Sequence, residues 1–90
     1  MRVKLFANFR DICGTKVIEV EPEGSRVRDL LGALSARHPA MREELFQPDG
    51  SLRPFVQILI NGRNIAFARG LDTEVEEGDE IALFPPVAGG

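Results

Sequence analysis

Two residues without side chains, Gly89 and Gly90, close this 90-residue sequence and flank the backbone carboxylate. A glycyl carbonyl has no Cβ beside it and its backbone takes φ > 0 freely, so it can thread a channel too narrow for any other residue. A carboxylate is a poor electrophile and must be activated before a nucleophile adds; once activated, an unhindered glycyl carbon is the easiest to attack. Immediately upstream, Pro85 and Pro86 end any strand, hold the chain extended and lower the ordering cost when this segment enters a partner. At about 3.3–3.6 Å per extended residue, residues 85–90 reach roughly 20 Å. We therefore read residues 1–84 as the domain and 85–90 as an extended tail, in which Pro85, Pro86, Val87, Ala88 and Gly89 contact a partner and Gly90 reacts.

The remaining chemistry-bearing residues are few. Cys13 has no basic neighbour in sequence to depress its pKa, so it reads as structural filler rather than a nucleophile. His38, just before Pro39, reads as an exposed or dipole-favoured helix-end residue. Glu74, Glu76, Glu77, Asp79 and Glu80 read as a solvated acidic turn. There is no P-loop pattern and no Cys/His cluster with metal-ligand spacing, so no metal or bound cofactor is expected and the catalytic residues must come from partners.

Composition narrows the setting. A net charge of −3 with no Lys/Arg cluster argues against nucleic acid as the main partner. No apolar run approaches a membrane span, the N-terminus alternates where a signal peptide would be continuously apolar, and the single cysteine suits a reducing compartment. A cytoplasmic protein is expected. Ninety residues, 43% of them hydrophobic, make one modest core.

Residues 2–7 alternate, with Val3, Leu5 and Ala7 inward and Lys4 and Phe6 outward, and residues 16–21 repeat the pattern after a turn at Gly14-Thr15, predicting an antiparallel hairpin. Val27, Leu30, Leu31 and Leu34 recur at i, i+3, i+4, i+7, predicting a helix with Ser25 as N-cap and Pro39 as its stop. A short helical turn follows within residues 39–46. Residues 56–60 form a strand that turns at Asn61-Gly62 into a short return strand over 63–66, and residues 81–84 form the last strand after a Glu77-Gly78-Asp79 turn. The order predicts an α+β domain with a mixed sheet and one main helix on one face.

That order, together with Lys4-Leu5-Phe6-Ala7, Leu30-Leu31-Gly32-Ala33-Leu34, Val56-Gln57-Ile58-Leu59-Ile60-Asn61-Gly62, Gly78-Asp79-Glu80-Ile81 and the closing Leu83-Phe84-Pro85-Pro86-Val87-Ala88-Gly89-Gly90, resembles the MoaD family of ubiquitin-like β-grasp proteins over essentially the whole chain. The resemblance implies the small, sulfur-carrying subunit of molybdopterin synthase. An adenylating partner of ubiquitin-activating (MoeB) type would use ATP to make an acyl adenylate at Gly90. A sulfur donor would convert it to a thiocarboxylate, and a large subunit of MoaE type would use that sulfur to build the dithiolene. The same resemblance admits a ubiquitin-like modifier of archaeal type, joined through Gly90 to lysines, or a carrier for thiazole or cysteine synthesis. In the β-grasp strand order the first, last and 56–60 strands are neighbours, so Phe6, Leu59 and Phe84 should share an exposed apolar docking patch.

Overall fold

The alternation of Val3 and Leu5 with Arg2 and Lys4 does build a strand, β1 (Arg2–Leu5), in the computed structural model, which describes residues 1–86. The strand stops two residues earlier than its pattern suggests. Ala7 is exposed, not inward, and takes φ 51° and ψ −133°, a conformation unfavourable for a residue with a Cβ, turning the chain into a helix, α1 (Asn8–Cys13). The predicted direct hairpin is thus interrupted. The missed signal is Phe9, Ile12 and Cys13 at i, i+3, i+4, with Phe9 fully buried and the other two half-buried. Gly14 ends α1 in the left-handed conformation, φ 72°, and its N–H and that of Thr15 donate to the Arg10 carbonyl at 2.7 and 3.1 Å.

β2 (Val17–Glu19) then pairs antiparallel with β1, Val3 opposite Ile18, so the pairing is as expected although the connection is not. The main helix, α2 (Val27–Arg37), buries Val27, Leu30, Leu31 and Leu34. Its N-cap is Arg26 and not Ser25: the Asp29 carboxylate accepts the Arg26 N–H at 3.0 Å, while the Ser25 carbonyl is taken by the Val75 N–H at 2.7 Å. His38 closes the helix, its N–H donating to Leu34, and α3 (Ala40–Leu45) follows Pro39 and buries Met41 and Leu45.

β3 (Gln57–Ile60) and β4 (Arg63–Asn64) are joined by Asn61-Gly62, both at positive φ (52° and 83°), the requirement of a two-residue type I′ turn. The return strand is two residues shorter than predicted, because Ile65–Phe67 winds into a 3₁₀ turn capped by the Asn64 side chain accepting the Ala66 N–H at 2.9 Å. β5 (Ile81–Phe84) completes the sheet in the order β2-β1-β5-β3-β4, parallel to β1 and antiparallel to β3. Val3, Leu5, Ile18, Ile58, Ile81 and Leu83 face the helices and are buried against Phe9, Leu30, Leu31, Leu34, Met41 and Leu45. No helix among the described residues is long and apolar enough to cross a membrane.

One buried polar group is unpartnered among the described residues. The Ser35 hydroxyl, on the inner face of α2, is 2% exposed and makes no hydrogen bond. An orphan hydroxyl costs about 1–3 kcal/mol, and Ala is also the better helix former. Ser35→Ala is therefore expected to raise the melting temperature by about 4–8 °C, read by calorimetry.

Candidate functional site

The parallel register that sets Leu5 beside Leu83 brings the next residues, Phe6 and Phe84, together on the face that no helix covers. Their rings stack with centroids 4.2 Å apart and planes 12° from parallel. Arg10 reaches back from α1, its guanidinium 5.0 Å from the centre of the Phe6 ring and its Nε donating to the Leu5 carbonyl at 2.7 Å. Phe6, Leu59 and Phe84 are each half-buried rather than open, and the Arg10 guanidinium is what sits over Phe6. Leu59 lies opposite Ala82, one step along the ladder from Phe84, so all three residues share the outer face, with only Phe6 and Phe84 in ring contact. Beyond Phe84 the chain continues through buried Pro85 and exposed Pro86. Val87, Ala88, Gly89 and Gly90 lie outside the described residues.

The sequence reading missed the two large apolar side chains that are exposed among the described residues. Phe55 and Phe67 are 82% and 79% exposed. Because Gln57 pairs with Phe84 in antiparallel register, Pro54 and Phe55 stand at the same end of the sheet as Pro85 and Pro86. Phe55 holds φ 69°, in the left-handed region that a residue with a Cβ seldom adopts. The available signal was a Phe directly after Pro and outside any apolar period. Arg10 was missed because a cation over a ring depends on α1, whose existence the alternation of β1 concealed.

The other candidates take structural places. Burial pushes the Cys13 thiol up, more than the nearby Arg37 lowers it, so at neutral pH it stays protonated and weakly nucleophilic. His38 is half-buried, with its carbonyl accepting the Met41 N–H. The acidic turn is more than solvated. Asp79 accepts from the Glu76 N–H at 2.8 Å and from Asn61 Nδ2 at 3.0 Å, tying the turn before β5 to the β3–β4 hairpin. Glu80 meets Lys4 Nζ at 2.7 Å across the outer face, which holds its carboxyl below the usual range.

A mixed five-stranded sheet with parallel first and last strands at its centre and helices on one face is the β-grasp arrangement of ubiquitin-like proteins. The chain belongs to the ThiS family, whose model matches residues 3–90, and is thus a ubiquitin-like sulfur carrier. It is 40% identical over 91 residues to small archaeal modifier protein 1 of Haloferax volcanii, covering 100% of both chains. The crystal structure of that modifier gives a TM-score of 0.86 at 38% identity, covering 100% of this chain and 98% of the other. The molybdopterin synthase sulfur carrier subunit of Escherichia coli is 33% identical over 90 residues, covering 100% of this chain and 99% of its own. The crystal structure of the BexX/CysO complex of Amycolatopsis orientalis gives a TM-score of 0.85 at 28% identity, covering 99% and 98% of the two chains. Carriers of this family work with partner enzymes, as that complex illustrates.

Proposed function

We propose that this chain carries sulfur as a thiocarboxylate at Gly90 and delivers it, as the small subunit of molybdopterin synthase, for dithiolene formation. The observation that carries this reading is the Phe6–Phe84 stack on the uncovered sheet face, directly at the root of the segment that ends in Gly-Gly. A partner seated there receives the tail from a fixed origin, which is the requirement for placing one carboxylate in a distant active site. An adenylating enzyme first joins a carboxylate oxygen to the α-phosphate of ATP, releasing pyrophosphate and making AMP the leaving group. Sulfur then displaces AMP, and the loaded carrier moves to the large subunit. The domain supplies the acyl group and the docking surface; ATP is bound by the partner.

The test is intact mass after incubation with a ubiquitin-activating-type enzyme, ATP and a sulfur source. One sulfur-for-oxygen exchange at Gly90 is expected, and an unchanged mass with active enzyme overturns the carrier chemistry for this chain. Docking has its own test. Phe84→Asp puts a charge into the aromatic stack, and a central aromatic anchor is worth about 2 kcal/mol, or roughly 30-fold in affinity. Calorimetric titration with the adenylating enzyme is expected to show that loss, with circular dichroism unchanged; equal affinity removes the outer face from the interface.

A second reading has its own support in the 40% identity over all of both chains to small archaeal modifier protein 1. In that reading Gly90 is transferred to lysines of other proteins, and glycyl remnants in isopeptide linkage on cellular proteins are the expected trace. A sulfur carrier for another pathway, such as thiazole or cysteine synthesis, is the corresponding third reading, supported by the likeness to the sulfur carrier protein CysO, and the enzyme that co-purifies with the tagged chain separates it from dithiolene formation.

A further inference from the structure

The two exposed phenylalanines give the fold little, and one of them sits on strained backbone. The Val56 N–H donates to the Arg53 carbonyl at 3.3 Å, which makes residues 53–56 a turn with Pro54 and Phe55 at its corners. Proline in the second position and a positive φ in the third, here 69°, mark a type II turn, whose third position prefers glycine because a Cβ there is strained. Phe55 occupies that position while 82% exposed. A ring so open contributes little packing to offset the strain. What it is suited to is contact with something outside the chain.

Phe67, 79% exposed, stands at the same end of the sheet. β4 runs antiparallel to β3, so after Asn64, opposite Leu59, the chain heads back toward the start of β3, and the 3₁₀ turn Ile65–Phe67 packs along that strand. The start of β3 is level with the end of β5, since Gln57 pairs with Phe84. Phe55 lies two residues before Gln57, about 7 Å at strand spacing, so the surface continues from the Phe6–Phe84 stack toward the β3–β4 border. Its charge is one-sided. Arg53 and Arg69 flank the two phenylalanines in sequence, and neither pairs with a carboxylate among the described residues: Arg53 Nε donates to the Glu43 carbonyl, whereas Arg26 and Arg28 are paired with Asp72.

We infer that Phe55 and Phe67, with Arg53 and Arg69 beside them, are a second docking surface, and that its occupant is the adenylating enzyme, through apolar pockets with an acidic rim. This rests on the carboxylate activation proposed above. The enzyme that performs it must come up against the end of the sheet from which Pro85 and Pro86 depart, and it is the one partner that all three readings of the function share. Phe84 holds that enzyme from the outer face, while Phe55 and Phe67 hold it from the β3–β4 border. Two anchors in different places fix an orientation that a single flat stack leaves free. The arginines act at the rim, where opposite charge speeds encounter and suppresses wrong partners.

Phe55→Gly separates the contact from the fold, because it removes the ring and relieves the backbone at once. Its melting temperature is expected to be no lower than the parent's, while calorimetric titration with a ubiquitin-activating-type enzyme, ATP omitted, is expected to show a roughly 30-fold loss of affinity. Phe67→Ser should also bind more weakly with its circular dichroism unchanged, and Arg69→Glu should slow association. Equal affinity in Phe55→Gly overturns the inference, as does a clear fall in its melting temperature, which would place the ring in the service of the fold. Faster association in Arg69→Glu overturns the acidic rim. Sedimentation of the chain alone tests the other occupant: a dimer that Phe55→Gly dissolves assigns the surface to a second copy and overturns the assignment to the enzyme. Binding is read without ATP or sulfur, so a parent chain that binds through Phe55 but takes up no sulfur sinks the proposed function alone.

Discussion

Deletion of Gly90 is expected to lower sulfur loading by more than about 100-fold while the melting temperature stays within a degree or so of the parent. The shortened chain still ends in a glycine carboxylate, so nothing chemical has been lost. What changes is position. The new carboxylate falls about 3.3–3.6 Å short of its former place relative to Phe84, and a displacement of about 1 Å of a reacting group already costs about 100-fold. Extension by the partner cannot recover the distance if Pro85 and Pro86 already hold the root of the segment extended. Gly90→Ala provides the comparison. It keeps the length and adds only a Cβ beside the acyl carbon, so it isolates the steric requirement from the positional one. Single-turnover loading followed by intact mass reads both variants, and loading of the deletion at the parental rate would show that the docked domain does not set the reach.

The largest effect on stability is expected at Phe9. Its ring is fully buried, yet it comes from a helix of only six residues that interrupts what the sequence presents as a hairpin. Phe9→Ala removes the side chain that ties α1 to the core, for which about 3–5 kcal/mol is typical. A domain of this length has a total of about 5–13 kcal/mol at roughly 0.05–0.15 kcal/mol per residue, so the variant is expected to lose a large share of it. The accompanying fall in melting temperature is about 12 °C or more. Urea titration measures the loss directly. Ile12→Ala, on the same face but only half-buried, should cost clearly less. Equal costs at both positions would show that α1 packs as a unit and that Phe9 has no special place in it.

These two sites also mark what could be read from the residues alone. Strands β1 and β2 follow from alternation, β3 and β5 from short apolar runs bounded by turn residues or prolines, helix α2 from a complete i, i+3, i+4, i+7 stripe, and the Asn61-Gly62 turn from its demand for positive φ at both positions. The aromatic pair Phe6 and Phe84 could be placed on the outer face by parity, since each falls one residue past a buried neighbour. The failures have two causes. The start of α2 at Arg26 in place of Ser25 is fixed by contacts distant in sequence, Val27 with Thr73 and Val75 with Ser25, while α1 and the 3₁₀ turn after Asn64 are elements too short for a full period to show. Local propensity carries no information about those contacts. The Arg10 guanidinium over Phe6 and the exposure of Phe55 follow from the same missed connections, because each depends on where the chain goes between regular elements.

The strand that leads into Pro85 and Pro86 is not at the border of the sheet. β5 is bonded along both sides, parallel to β1 and antiparallel to β3. A pull directed along the residues after Pro86 therefore loads two ladders at once, lengthwise, so that their bonds must rupture together; a border strand would peel away one bond at a time. Resistance to force of this kind is governed by the unfolding barrier rather than by equilibrium stability. An enzyme that pulled on the residues after Pro86 would therefore meet the sheet as one mechanical unit rather than a strand that unzips.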